Sequence, residues 1–138
     1  MSPRQPSRVQ ACGEDEARRR LRDARAQLDL AELAGGASLP EECKAAVSCA
    51  VLAGSAAADA ACCKALAQRS RSQNHHDAVA LVRQLSPGGP SAAKQLERLL
   101  GLKDQAQYGF DDITGQRLIA AVRQARALVA FAEAVLAR

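Results

Sequence analysis

Apolar residues in this chain recur at helical spacing, and no stretch alternates over any length as a strand would require. Ala17, Leu21, Ala24, Leu28 and Ala31 follow one another at intervals of four and three, which places them on one face of a helix from about Glu14 to Ala34. Glu14, Asp15 and Glu16 suit its positive N-terminal end, and Gly35-Gly36 stops it. A second helix opens at Ser38-Leu39-Pro40-Glu41, where Ser38 and Glu41 have capping-box spacing and Pro40 lies in the first turn, and it continues to about Gln68. Its stripe is Val47, Ala50, Gly54, Ala57 and Ala61, small enough to let neighbouring backbones approach, so it should be the central helix.

After a polar break over residues 69–74, His75-His76-Asp77 starts a shorter helix with Val79, Val82 and Leu85 inward, ended by Ser86-Pro87-Gly88-Gly89-Pro90. A fourth helix runs from Ser91 to about Ala106. The last begins near the N-cap candidate Thr114 and carries Leu118, Val122, Ala125, Val129, Ala132 and Leu136, the cleanest apolar stripe of all. Short loops make sequential helices antiparallel neighbours. The expected fold is therefore all-α, an up-and-down antiparallel helical bundle of four main helices plus one short helix. Residues 1–12, with Pro3, Pro6, Arg4 and Arg8 and no apolar period, read as a disordered tail ahead of a bundle domain over 13–138.

Composition sharpens this in three places. Hydrophobic residues are 48% of the 138 but aromatics only 2%, so the core must be built from Ala, Leu, Val, Cys and Ile. A net charge of +4 admits a polyanionic partner and equally an Arg-rich solvated surface. Five cysteines, an odd number at irregular spacing, and no apolar signal region point to reduced thiols and a cytoplasmic protein. The stretch from Ala45 to Cys63 holds one charge, Asp59, but its Ala, Gly, Ser and Cys content fits a buried helix better than a membrane span.

Phosphate loops, HExxH and nucleophile elbows are absent from the sequence. Cys62-Cys63 and His75-His76 are poor zinc ligands, because adjacent helical residues diverge by about 100° and cannot easily face one ion; no metal or cofactor is expected. Asp59 on the central helix needs a partner, either a structural Lys or Arg or a ligand in a cleft beside the turn that runs from Lys103 to Tyr108. His75 and His76 could serve as base, acid or phosphate contact, with Arg69 nearby, or could be surface residues. Lys103 and Gln107 share a helical face, Asp104 lies beside them, and Tyr108, the sole Tyr, follows.

The small-residue helix from Val47 to Cys63, His75-His76 opening the third helix, and LKDQAQYG ahead of the last resemble the HEPN superfamily of small helical bundles. The resemblance covers roughly Glu14 to the end. It implies binding of RNA or nucleotide phosphates, a two-fold homodimer with both motif turns lining one cleft, and membership of a toxin–antitoxin or defence pair with a protein partner such as a nucleotidyltransferase antitoxin. Many such proteins are metal-independent endoribonucleases with an Arg, four to six residues, then a His before the final helix. Lys103 and Tyr108 stand at those positions here. A Lys lacks the forked donor geometry of Arg, and a Tyr is a poor base at neutral pH, so the implied RNase activity is weakened or absent. In a residual mechanism Lys103 would stabilise phosphate charge while His75 or His76 takes the 2′-hydroxyl proton. Two alternatives stay open: a non-catalytic protein-interaction bundle, and a working metal-independent RNase with a variant site.

Overall fold

The computed structural model describes residues 8–71, 74–107 and 109–138. It is an all-α bundle: α1 (Glu14–Leu33), α2 (Pro40–Leu66), α3 (His75–Arg83), α4 (Gly89–Leu100), α5 (Lys103–Gln107) and α6 (Gly115–Leu136), with a two-stranded ribbon of β1 (Val9–Ala11) and β2 (Gln68–Ser70).

Cross-links between side chains fix the directions of the four long helices. Lys64 meets Glu14 at 2.8 Å and Arg20 meets Asp59 at 2.9 Å, so the end of α2 lies beside the start of α1. Arg25 with Glu133 and Arg126 with Glu32, both at 2.9 Å, run α6 antiparallel to α1. Arg138 donates to the Ser86 carbonyl at 3.0 Å, which brings the end of α6 to the start of α4. The long helices therefore alternate up and down, and α3 packs mainly on α4.

The core is as aliphatic as the composition requires. Ala17, Leu21, Ala24, Leu28 and Ala31 are the buried face of α1, and α2 buries fourteen residues on most of its circumference. That breadth makes α2 the central helix, in contact with α1, α4, α5 and α6. At Gly54 a Cβ would lie 2.6 Å from Leu99 Cδ1 and 3.1 Å from Leu128 Cδ1. Glycine here lets α4 and α6 drop leucines onto the α2 backbone, where each fully buried leucine contributes about 1.5–3 kcal/mol. α2 is also long and apolar enough to cross a membrane, but 72% of its most apolar window is buried inside the protein. It is the core helix of the bundle.

Several expectations are corrected. Residues 8–12, assigned by sequence to the disordered tail, carry β1, which pairs antiparallel with β2 in the register Val9 to Ser70, Gln10 to Arg69 and Ala11 to Gln68; residues 1–7 lie outside the described residues. Three residues are too few for any alternation to show. The cysteines are not all reduced: Cys12 and Cys63 form a disulfide, while Cys43, Cys49 and Cys62 are free. Antiparallel packing of α1 on α2 brings together two positions 51 residues apart in sequence, a proximity that cysteine spacing does not reveal. Ser38 caps nothing, because Leu39 is the N-cap residue of α2 and Pro40 follows at the first helical position. The fourth helix divides at Gly101, a weak helix former, into α4 and the single turn α5.

Candidate functional site

Asp59 faces outward from α2 into the space that α3 and α5 leave open. Leu96 and Leu100 of α4 and Ala58 and Ala78 wall a cavity of about 130 Å³, and its polar lining is Ser55, Asp59, Ser70, Asn74, His75 and Lys103. At about 30 Å³ of liquid per water, that is the room of about four waters. The volume suits a phosphate group or a sugar hydroxyl and falls short of whole-ligand pockets, which start at about 300 Å³.

Each polar residue arrives by a local device. Ser55 lies one helical turn before Asp59 and shares its face. Asn74 is the N-cap residue of α3, and its side-chain oxygen accepts the His76 N–H at 2.9 Å, which fixes where His75 begins the helix. Lys103 starts α5 directly after the Gly101 break. Ser70 comes from β2, and its strand neighbour Arg69 faces the other way, as alternation along a strand requires.

Electrostatically the two sides of Asp59 differ. Its carboxylate accepts from Arg20 at 2.9 Å and lies 3.9 Å from Arg69, with 16% of the side chain exposed. Burial raises the Asp59 carboxyl above its ordinary range, against the Arg20 hydrogen bond and the charges of Arg20 and Arg69. Burial, with the Asp59 charge second, also pushes the neighbouring Cys62 thiol up to about 12. Cys62 is thus a neutral packing residue rather than a nucleophile. Across the cavity, the side chains of His75 and Lys103 make no hydrogen bond or ion pair with any other described residue.

Of the eight residues singled out by sequence, three meet here: Asp59, His75 and Lys103. Arg69 touches the site only through Asp59 and opens on a different groove. His76 is exposed on α3 outside the lining, and Asp104 and Gln107 are exposed on α5. Tyr108 lies outside the described residues. Cys63, one of four possible zinc ligands, is consumed by the disulfide.

Sequence reasoning missed Ser55, Ser70 and Asn74. For Ser55 the signal was present, as the polar residue four before Asp59 in the nearly charge-free stretch 45–63; Ser70 joins through the ribbon, which left none. Arg20, the main partner of Asp59, was visible only as one of five arginines on α1. Compared with known proteins, the chain matches no protein-family model and no curated protein.

Proposed function

We propose that the protein is a HEPN-like bundle that binds RNA or nucleotide phosphates, with a phosphate held by Lys103 and contacted by His75, and with RNase activity weakened or absent. One observation carries this reading: a cation with no ionic partner among the described residues and an imidazole line the same small cavity as a buried carboxylate. Lys103 shares the cavity with the Asp59 carboxylate but makes no hydrogen bond or ion pair with any described residue, which leaves its N–H donors for an anion. His75 can hydrogen-bond the same group or accept a proton from a neighbouring hydroxyl. The net charge of +4 favours approach of a polyanion.

Membership of a toxin–antitoxin or defence pair, a nucleotidyltransferase partner and a homodimer belong to the same reading through the resemblance in α2 and in the turn before α6. A cytoplasmic location follows from an RNA ligand. The Cys12–Cys63 disulfide is the observation that pulls the other way, because such bonds persist mostly in oxidising compartments.

The second reading, a non-catalytic protein-interaction bundle, is favoured by Leu33 and Phe110, which are 83% and 101% exposed. The two separate cleanly. Labelled tRNA and mRNA are incubated with the protein in EDTA, and binding and cleavage are followed as salt is raised. Binding through phosphates weakens steeply with salt, and Lys103→Ala lowers the slope. Cleavage in EDTA that is lost in Lys103→Ala and His75→Ala makes the cavity a working variant RNase site. RNA binding that is absent, or flat with salt and indifferent to both substitutions, leaves the docking bundle.

A further inference from the structure

On the far side of Asp59 from the cavity lies a larger open groove of about 370 Å³ between the first turns of α1 and the β ribbon. Gln10, Ala11 and Cys12 form one wall, and Arg19, Arg20 and Arg69 supply three guanidinium groups. Arg20 is held by Asp23 at 3.2 Å and Asp59 at 2.9 Å, and Arg69 by Gln10 at 2.9 Å. These contacts use a minority of the five N–H donors each group carries and fix its plane. The Nε of Arg20 is buried with no acceptor among the described residues.

Arg19 is exposed and makes no hydrogen bond or ion pair with another described residue, although its charge acts on Glu16. The one carboxylate in the lining, Glu16, is already engaged by the Gly13 N–H at 2.8 Å. Glu16, Asp23 and Asp59 together offset the three positive charges, so what the groove offers is unused guanidinium N–H donors rather than a net positive charge. Forked guanidiniums match the oxygen geometry of phosphate.

We propose that this groove is a second anion site that takes a phosphate-bearing ligand, with Arg20 and Arg69 as fixed donors and Arg19 as the mobile one. It is separate from the His75 and Lys103 cavity, since Asp59 stands between them, and it does not depend on that cavity having a ligand. Its volume reaches the range of whole-ligand pockets, so it can hold a pyrophosphate or two neighbouring backbone phosphates, where the cavity holds one.

The test titrates isotope-labelled protein with inorganic pyrophosphate and follows the backbone amides of Gln10, Ala11, Cys12 and Arg69. Saturable shifts at these amides are expected, persisting in Lys103→Ala and weakening about tenfold in Arg19→Ala and in Arg69→Gln, since each removes a charge-assisted hydrogen bond. Arg19 is exposed and makes no hydrogen bond or ion pair with another described residue, so its variant should keep the fold, and a native amide spectrum checks that. Absence of saturable shifts at the ribbon, or equal affinity in wild type and Arg19→Ala, overturns the site. A parallel titration with single-stranded RNA identifies the source. A matching loss in Arg19→Ala assigns the groove to a polynucleotide backbone, and a loss confined to pyrophosphate assigns it to a free nucleotide or polyphosphate.

Discussion

Asp59 divides the molecule into two regions built on opposite plans. Toward α1, charges are paired and the backbone is tied down: Arg20 and Arg69 flank the carboxylate, Lys64 meets Glu14, and the ribbon is stapled by Cys12–Cys63. Toward α3 and α5, the side chains of His75 and Lys103 face a cavity with no partner among the described residues. The same carboxylate serves both, as an anchor for two arginines and as a wall of the cavity. Side chains already committed to one another contribute stability; those left uncommitted are the ones available to a ligand. Substitutions on the two sides should therefore separate, with stability lost mainly toward α1 and binding lost without stability toward α3 and α5.

The largest loss of stability is expected at the staple. A two-stranded ribbon of three residues per strand is marginal alone, and closing a loop of 51 residues constrains the unfolded chain. Cys12→Ser should lower the unfolding free energy by about 2–4 kcal/mol, read from urea denaturation, and wild type in a thiol reductant should fall by a similar amount. A loss below about 1 kcal/mol in both would mean that the ribbon side is no more firmly held than the cavity side.

Next comes the ion pair. Arg20→Ala leaves the mostly buried Asp59 with only the more distant Arg69. Because the Arg20 side chain is 37% exposed, solvent screening reduces the cost to about 1–2 kcal/mol. Asp59→Asn in the Arg20→Ala background should recover part of it, since a neutral amide needs no counter-charge. Additive effects of the two substitutions in a double-mutant cycle would show that the pair is uncoupled.

A smaller effect appears with pH. The Asp59 carboxyl is raised in the folded state above its ordinary value of 3.8, chiefly by burial. Its contribution is then fully present below 3.8 and is lost as pH rises through the folded value. Glu14 is lowered by the Lys64 hydrogen bond and charge, and Glu16 by the Gly13 N–H; both act in the opposite sense, with stability lost as pH falls. The informative curve is thus wild type minus Asp59→Asn, which should decline as pH rises above 3.8. Cys62 gives an alkaline counterpart: with its thiol raised from 9.0 to about 12, stability should fall as pH climbs from 9 toward 12, and less so in Cys62→Ala. A difference curve for Asp59 that rises with pH would place the carboxyl below its ordinary range and make the arginines dominate burial.

The bundle was legible in sequence because its information is local and periodic. Every buried residue of α1 falls on the stripe read from spacing; on α6 the stripe is buried except for the partly buried Leu136, while Ala121, Leu128 and Val135 are buried without having been on it. What was not legible depends on tertiary proximity. The disulfide joins residues 12 and 63, β1 and β2 are too short to show a period, and the choice of Arg20 among five arginines is made by how α1 lies on α2. The candidate site falls between these cases. Asp59 stood out as the lone charge of the small-residue stretch 45–63, His75 as an unusual side chain at a helix start, and Lys103 as one in the last turns of the expected fourth helix. That they converge follows from α3 and α4 folding back over α2, a long-range outcome that composition and spacing do not encode.

The smallest change in stability and the sharpest change in binding should coincide at Lys103. It has no ionic partner among the described residues to lose, so Lys103→Ala is expected to move the unfolding free energy by no more than about 0.5 kcal/mol. On RNA the same substitution removes one phosphate contact. The slope of log affinity against log salt should then become shallower by about 0.7 for a single strand, with affinity down by about tenfold at low salt. Lys103→Arg keeps the charge and should restore most of the slope, which separates a charge contact from the packing of the side-chain stem. An RNA salt slope identical in wild type, Lys103→Ala and Lys103→Arg would take the phosphate away from this cavity. It would leave the arginine groove across Asp59 as the place where a polyanion meets the protein.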